Sequence, residues 1–260
     1  MTRFALTLAA FLLAGCNTAL HPSIVSFNGH SVELATGGDG GVTVVFESGL
    51  GAGWSPWDGV AGEVAHHARV FAYSRPGYDR SSPATTQRDG AHIVEELRSL
   101  LTAQGYAPPY VLVGHSFGGA YMQLFAKLHP AEVSGLVTVD GRPAEFLAAC
   151  EAAKLPMCGI SDEDLPKQPQ VQIDEYKEFV AISEELHAAG PFGAYPVRVL
   201  VASNSASPRQ TLWESMQAKI AAEAADGQMT IFKGSGHYLQ LDRTREVAGV
   251  IEELIAAPTR

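Results

Sequence analysis

The chain has 260 residues, 46% hydrophobic and 18% charged, which is enough apolar material for a large buried core and too little charge for a disordered chain. Eighteen Lys and Arg against 28 Asp and Glu leave a formal charge of −10, a surface that repels phosphate backbones and sets nucleic acid aside as a partner. No mid-chain apolar run reaches the roughly 18 residues of a membrane span, and no repeat with a period of roughly 20–50 residues is present.

At the N-terminus, Arg3 precedes an apolar stretch over 4–15, interrupted by Thr7. The stretch is too short to span a bilayer and has the length of a signal-peptide core. It ends in Leu13-Ala14-Gly15-Cys16, which resembles the lipobox of bacterial lipoproteins. The resemblance implies that residues 1–15 are a lipoprotein signal peptide and that Cys16 is lipidated on sulfur as the mature N-terminus. The remainder, 16–260, is then expected to be lipid-anchored on the periplasmic side of the bacterial cell envelope. Asn17 is not the Asp that marks inner-membrane retention in that class, which favours the outer membrane. An ordinary secretory signal with an incidental Cys16 is the alternative.

Two β-prone segments, 24–27 and 31–35, flank Asn28-Gly29 and predict a hairpin. Val-rich strands follow at 42–47 and 70–74, the first a continuous apolar run typical of a strand covered on both faces. Ile93, Leu97, Leu100 and Leu101 form one stripe of a helix over 89–104. His66 and His67 read as helical. Next come a strand over 110–114, a helix over 116–128 ending before Pro130, and a strand over 135–140. The stretch 143–195 lacks strand signals, is polar, and holds a helix at 173–188. Beyond it, a strand (197–202), a helix (211–225), a strand (229–233) and a helix (243–257) resume the alternation. That alternation predicts an α/β fold with a mostly parallel sheet covered by helices on both faces. The region at about 143–195 reads as a small cap insertion over the sheet's C-terminal edge, where ligands bind in open α/β sheets. Export would place Cys150 and Cys158, eight positions apart, in a compartment that permits a disulfide between them. Two separate buried thiols are the alternative. A zinc site is disfavoured, with no CxxC and no His beside either cysteine.

The strand over 110–114 runs into Gly114-His115-Ser116-Phe117-Gly118, a G-x-S-x-G motif followed at once by a helix and a further Gly119. A sharp strand-to-helix turn puts the serine in strained backbone geometry, and larger neighbours would clash. No Lys follows to make it a phosphate-binding loop. Together with Glu47-Ser48-Gly49-Leu50-Gly51, Tyr73-Ser74-Arg75-Pro76-Gly77-Tyr78, Arg80-Ser81-Ser82 and Gly234-Ser235-Gly236-His237, the chain resembles the α/β-hydrolase family over essentially all of 42–257. That family more often has Asp at position 74 and Gly at position 79.

The resemblance implies Ser116 as nucleophile and His237 as its base. His237 also stands out among nine histidines because its glycine-rich loop follows a strand and so meets the same sheet edge as Ser116. His115 reads as packing beside the elbow. The family's oxyanion hole implies the backbone N–H groups of Phe117 and Leu50. Trp54 and Trp57 read either as walls of an acyl pocket or as core aromatics. Relatives often carry the triad acid after the strand that here is 197–202, but the loop 203–208 has no carboxylate. A minority take it one strand earlier, which implies Asp140, with Glu145 and Asp162 as alternatives. The expected activity is a serine hydrolase that cleaves a carboxylic ester or related acyl compound through an acyl-enzyme, with no metal or other cofactor. The partner is then a small-molecule ester, and the oligomeric state is not legible. The competing reading is a catalytically inactive binding lipoprotein that kept the fold.

Overall fold

The structure is a computed structural model that describes residues 20–257; Cys16 and the signal segment lie outside the described residues. Strands β1 (His21–Phe27) and β2 (His30–Gly37) form an antiparallel hairpin around Asn28-Gly29, both of positive φ. The parallel strands are β3 (Thr43–Glu47), β4 (Arg69–Ser74), β5 (Tyr110–His115), β6 (Val133–Val139), β7 (Val197–Ser203) and β8 (Gly227–Lys233). The sheet order is β1-β2-β4-β3-β5-β6-β7-β8. The chain steps outward from β3 to β4, then back across β3 to β5. That reversal opens a crevice beyond the C-terminal ends of β3 and β5, where Ser48 and Ser116 follow their strands.

Period-two alternation explains why the strands read as unbroken apolar runs. Val45, Phe71, Leu112 and Leu136 face one core, shared with helices α2 (Gly90–Ala103), α3 (Phe117–Leu128) and α7 (Pro208–Glu223). Val44, Phe46, Val70 and Val111 face the other, closed by α1 (Asp58–Val64), α8 (Leu239–Asp242) and α9 (Thr244–Ala256). The stripe of Ile93, Leu97, Leu100 and Leu101 is buried as its spacing predicts. Asp89 caps that helix by accepting from the His92 N–H at 2.9 Å. His66 and His67 are not helical. The helix α1 ends at Val64, and their N–H groups close the turn after it on the carbonyls of Glu63 and Val64.

The insertion holds α4 (Phe146–Ala152), α5 (Gln170–Glu178) and α6 (Ile182–Ala188). The single helix expected at 173–188 is broken by a 3₁₀ turn over Phe179–Ala181. The tighter turn drops Phe179 onto Phe117, ring centroids 3.9 Å apart, and buries Ile182 beneath it. Cys150 and Cys158 are joined by a disulfide, so the segment leaving α4 folds back on its end. The insertion sits on the loops that follow β3 and β4: at Gly77 (φ +90) a Cβ would fall 2.9 Å from the Val171 side chain. The departures at 74 and 79 compensate one another. Asp79 adopts the positive φ that glycine would favour, and its carboxylate accepts from the Ser74 hydroxyl at 2.9 Å.

Candidate active site

Ser116 joins β5 to α3 with φ 54 and ψ −121, a strained left-handed geometry for a residue with a side chain. Close approach around it explains the glycines. A Cβ on Gly118 would strike the carbonyls of Glu47 and Ser48, and one on Gly114 would strike the backbone of Gly118. The Ser116 carbonyl is held by the N–H of Gly119 at 3.0 Å and of Arg142 at 2.8 Å. Its hydroxyl is thereby presented at the mouth of the crevice, with the free N–H groups of the α3 N-terminus beneath it.

His237 stands in the loop after β8, its side chain 43% exposed, and Nδ1 lies 2.6 Å from Oδ2 of Asp140. The other carboxylate oxygen, Oδ1, accepts from the Ala202 N–H at 3.0 Å and the Trp213 indole N–H at 2.9 Å. An ionised carboxylate only accepts, so the network assigns the His237 proton to Nδ1 and leaves Nε2 as the acceptor. Of the three carboxylates weighed from the sequence, Asp140 is the one that meets His237. Glu145 accepts from Ser183, and Asp162 is exposed on the insertion. Ser116, Asp140 and His237 line one cavity of about 290 Å³, together with Arg142, Arg209, Gln210 and Trp213.

His115 supports the loop that carries His237. Its Nε2–H donates to the His237 carbonyl at 2.9 Å, and the two rings lie 4.6 Å apart. Burial, reinforced by His237, pushes its pKa down to about 3, so it stays a neutral donor. Trp57 packs on Phe46 and edge-on to His115 with no exposure. It is a core aromatic under the elbow and walls no acyl pocket.

The loop after β3 brings Gly49 against the nucleophile: a Cβ there would fall 2.9 Å from the Ser116 Cβ. Leu50 is next in that loop, and Phe117 opens α3 on the other side of Ser116. A clamp that the sequence did not reveal holds the loop. The Arg75 guanidinium donates to the carbonyls of Ser48 (2.6 Å) and Gly49 (3.1 Å), to Glu47 at 2.5 Å, and bidentately to Glu175 at 3.0 and 2.9 Å. All three charged side chains are essentially unexposed. Burial opposes the Arg75 charge, but Glu175 and then Glu47 outweigh it and hold its pKa well above the ordinary value. Glu175 comes from α5, so the insertion is tied to the loop beside Ser116.

A family model described as alpha/beta hydrolase fold matches residues 42–156, which include Ser116 and Asp140. A crystal structure of ALR0039 from Nostoc sp PCC 7120 superposes with TM-score 0.74, covering 93% of this chain and 99% of that one at 17% identity. The chain has the α/β-hydrolase fold. Curated relatives match over shorter stretches. YqjL of Bacillus subtilis (strain 168) is 34% identical over 40% of this chain and 41% of its own length. A pimeloyl-[acyl-carrier protein] methyl ester esterase of Yersinia enterocolitica is 30% identical over 41% of this chain and 39% of its own. The chain thus spans about two fifths of the length of these relatives. Among the described residues of this hydrolase-fold chain, no group of three or more His, Cys, Asp or Glu side chains is placed to hold a metal ion.

Trp213, Arg142 and Arg209 escaped the sequence reading. Trp213 lies on the helix that follows a loop without a carboxylate. Arg142 lies just beyond Asp140-Gly141, in a segment read only as the start of the insertion.

Proposed function

We propose that this chain is a serine hydrolase that cleaves a carboxylic ester through an acyl-enzyme intermediate. The observation that carries the reading is the convergence on one cavity of a serine at φ 54 and a histidine whose Nδ1 is held by a carboxylate at 2.6 Å. Ser116 Oγ attacks the ester carbonyl as His237 Nε2 takes its proton. Asp140 fixes the tautomer and stabilises the imidazolium. Oxygen charge in the tetrahedral intermediate falls to the N–H groups of Phe117 and Leu50, in a loop that Arg75 holds still. His237 then protonates the departing alcohol, and a water deprotonated by His237 attacks the acyl-enzyme and frees Ser116. The similarity to a methyl ester esterase is consistent with an ester as substrate.

The missing carboxylate in 203–208 is what favoured an inactive binding lipoprotein, and it carries little weight beside the Asp140–His237 bond. Labelling with a fluorophosphonate tests the reading. Ser116 is expected to be the modified residue, and equal labelling of Ser116→Ala overturns it. By the same proposal Cys16 carries lipid on the periplasmic side of the envelope, and several acyl chains would anchor it stably. The full-length protein is then expected in membranes and a chain beginning at residue 20 in the soluble fraction. A full-length protein found wholly in the soluble fraction overturns the anchor.

A further inference from the structure

We propose that Arg142 and Arg209 form an anion-recognition subsite on the catalytic cavity, and that the substrate is an ester bearing a carboxylate or phosphate group. The inference rests on the serine-hydrolase reading and names the substrate class for that site.

Both guanidinium-bearing residues line the cavity with Ser116, Asp140 and His237. Arg142 is tied to the nucleophile through its own backbone, since its N–H is the one that donates to the Ser116 carbonyl at 2.8 Å. Arg209 stands in the first turn of α7, four residues before Trp213, whose indole holds Asp140. The two side chains are aimed by the same short segment. Arg142 donates one Nη2 bond to the Cys158 carbonyl at 2.9 Å, and Arg209 donates its Nε–H to the Met157 carbonyl at 2.9 Å. That segment is closed on α4 by the Cys150–Cys158 disulfide. Aromatic faces complete the support. Arg142 lies 5.5 Å and Arg209 5.1 Å from the Phe146 ring centroid, and Arg142 also lies 5.7 Å from that of Phe117.

No counter-charge comes with this arrangement: among the described residues neither guanidinium makes an ion pair with a carboxylate. Placing two guanidinium groups around one phenyl ring, one of them half-buried, costs free energy in a chain whose formal charge of −10 offers 28 acidic residues as partners. Burial is the main cause that pulls the Arg142 pKa below its ordinary value, with Tyr176 opposing it and Arg209 adding to it. Each arginine spends one bond on a carbonyl and keeps further N–H groups of a five-donor fork. That fork matches the two oxygens of a carboxylate or phosphate, and a neutral ester has nothing to offer it.

The test separates recognition from catalysis. Calorimetry on Ser116→Ala, which cannot turn over, compares monomethyl adipate with neutral dimethyl adipate, and methyl 5-phosphonopentanoate with its dimethyl phosphonate ester. At least one anionic probe is expected to bind tenfold or more tightly than its neutral counterpart, and the tighter of the two assigns carboxylate or phosphate. In that background Arg209→Gln is expected to cut the anionic preference about tenfold, with Arg209→Lys recovering part of it. Arg142→Gln is expected to do the same, and Arg209, being on a helix terminus, gives the readout if Arg142→Gln does not fold. Equal binding of charged and neutral probes, or an unchanged preference in both Gln variants, overturns the subsite even if a fluorophosphonate labels Ser116. A retained preference in a protein whose Ser116 is not labelled upholds the subsite and overturns the hydrolase reading beneath it.

Discussion

Arg75 and Arg142 follow the C-terminal ends of β4 and β6, on the same edge of the sheet, and have opposite surroundings. Arg75 is wholly buried and is met by two carboxylates and two carbonyls. Arg142 is half-buried, is met by one carbonyl and aromatic faces, and opens on the cavity. The protein supplies the counter-charge in the first case and leaves it to be supplied in the second. The same contrast separates the two histidines. His115 is sealed, neutral and bonded to backbone, whereas His237 is 43% exposed and bonded to a carboxylate. In these two pairs the buried member is held by groups of the protein, and the member with an open side faces the place where chemistry is proposed.

The largest effect is expected on the reactive side of the comparison. Asp140→Asn keeps the side-chain shape but leaves His237 in the wrong tautomer, and kcat is expected to fall about 10⁴-fold. Steady-state kinetics with unchanged thermal unfolding check it; near-wild-type activity would move the acid elsewhere. On the satisfied side, Arg75→Met strips the buried Glu47 of its counter-charge and leaves the buried Glu175 only Arg88 at 3.5 Å, with the phenols of Tyr73 and Tyr78 still donating to the two carboxylates. A loss of about 3–5 kcal/mol in denaturant unfolding is expected, and a loss under about 1 kcal/mol would mean the clamp is wet.

Cys150→Ser with Cys158→Ser opens the loop that aims Arg142 and Arg209. The entropic model for so short a loop gives about 2–3 kcal/mol, read from the unfolding midpoint with and without reductant.

His115 gives a pH test whose sign follows from its lowered pKa of about 3. The unfolded chain takes up this proton near pH 6.5 and the folded one only near 3, so stability is lost as the pH falls through that window. Between pH 7 and 5 the loss is about 2 kcal/mol. His115→Gln, which keeps a donor for the His237 carbonyl, is expected to flatten that part of the stability profile. An identical profile in the variant would remove His115 as its source. The smallest effect is expected for Trp213→Phe, which deletes one of the two donors on Asp140 Oδ1. A hydrogen bond to a charged group is worth about 1.5 kcal/mol at the low end, or roughly tenfold in kcat.

Much of this molecule is written locally. The apolar runs over Val44–Phe46 and Val111–Val113 can be buried on both faces only in a helix-covered sheet. Gly114, beside Ser116, answers to the backbone of Gly118 in the same turn. The Asn28-Gly29 hairpin, the stripe on α2 and the position of His237 after β8 are legible for the same reason: spacing and backbone freedom are properties of neighbours in sequence. The helix break at Phe179–Ala181 is not legible, because the stacking on Phe117 that rewards it comes from another part of the chain. Nor are the long-range pairings, of which the family resemblance implied only that of Asp140 with His237. Asp140 meets His237 across 97 positions and Trp213 across 73, and Arg75 meets Glu175 across 100. A polar residue on a polar helix, as Glu175 appears in sequence, becomes fully buried only because the insertion lands on the loops after β3 and β4. Residue order determined the elements and the serine and histidine. The order of strands in the sheet, with the seating of the insertion on it, decided which charges are neutralised and which two arginines face the cavity beside Ser116, because electrostatic pairing depends on distance in space and not on distance along the chain.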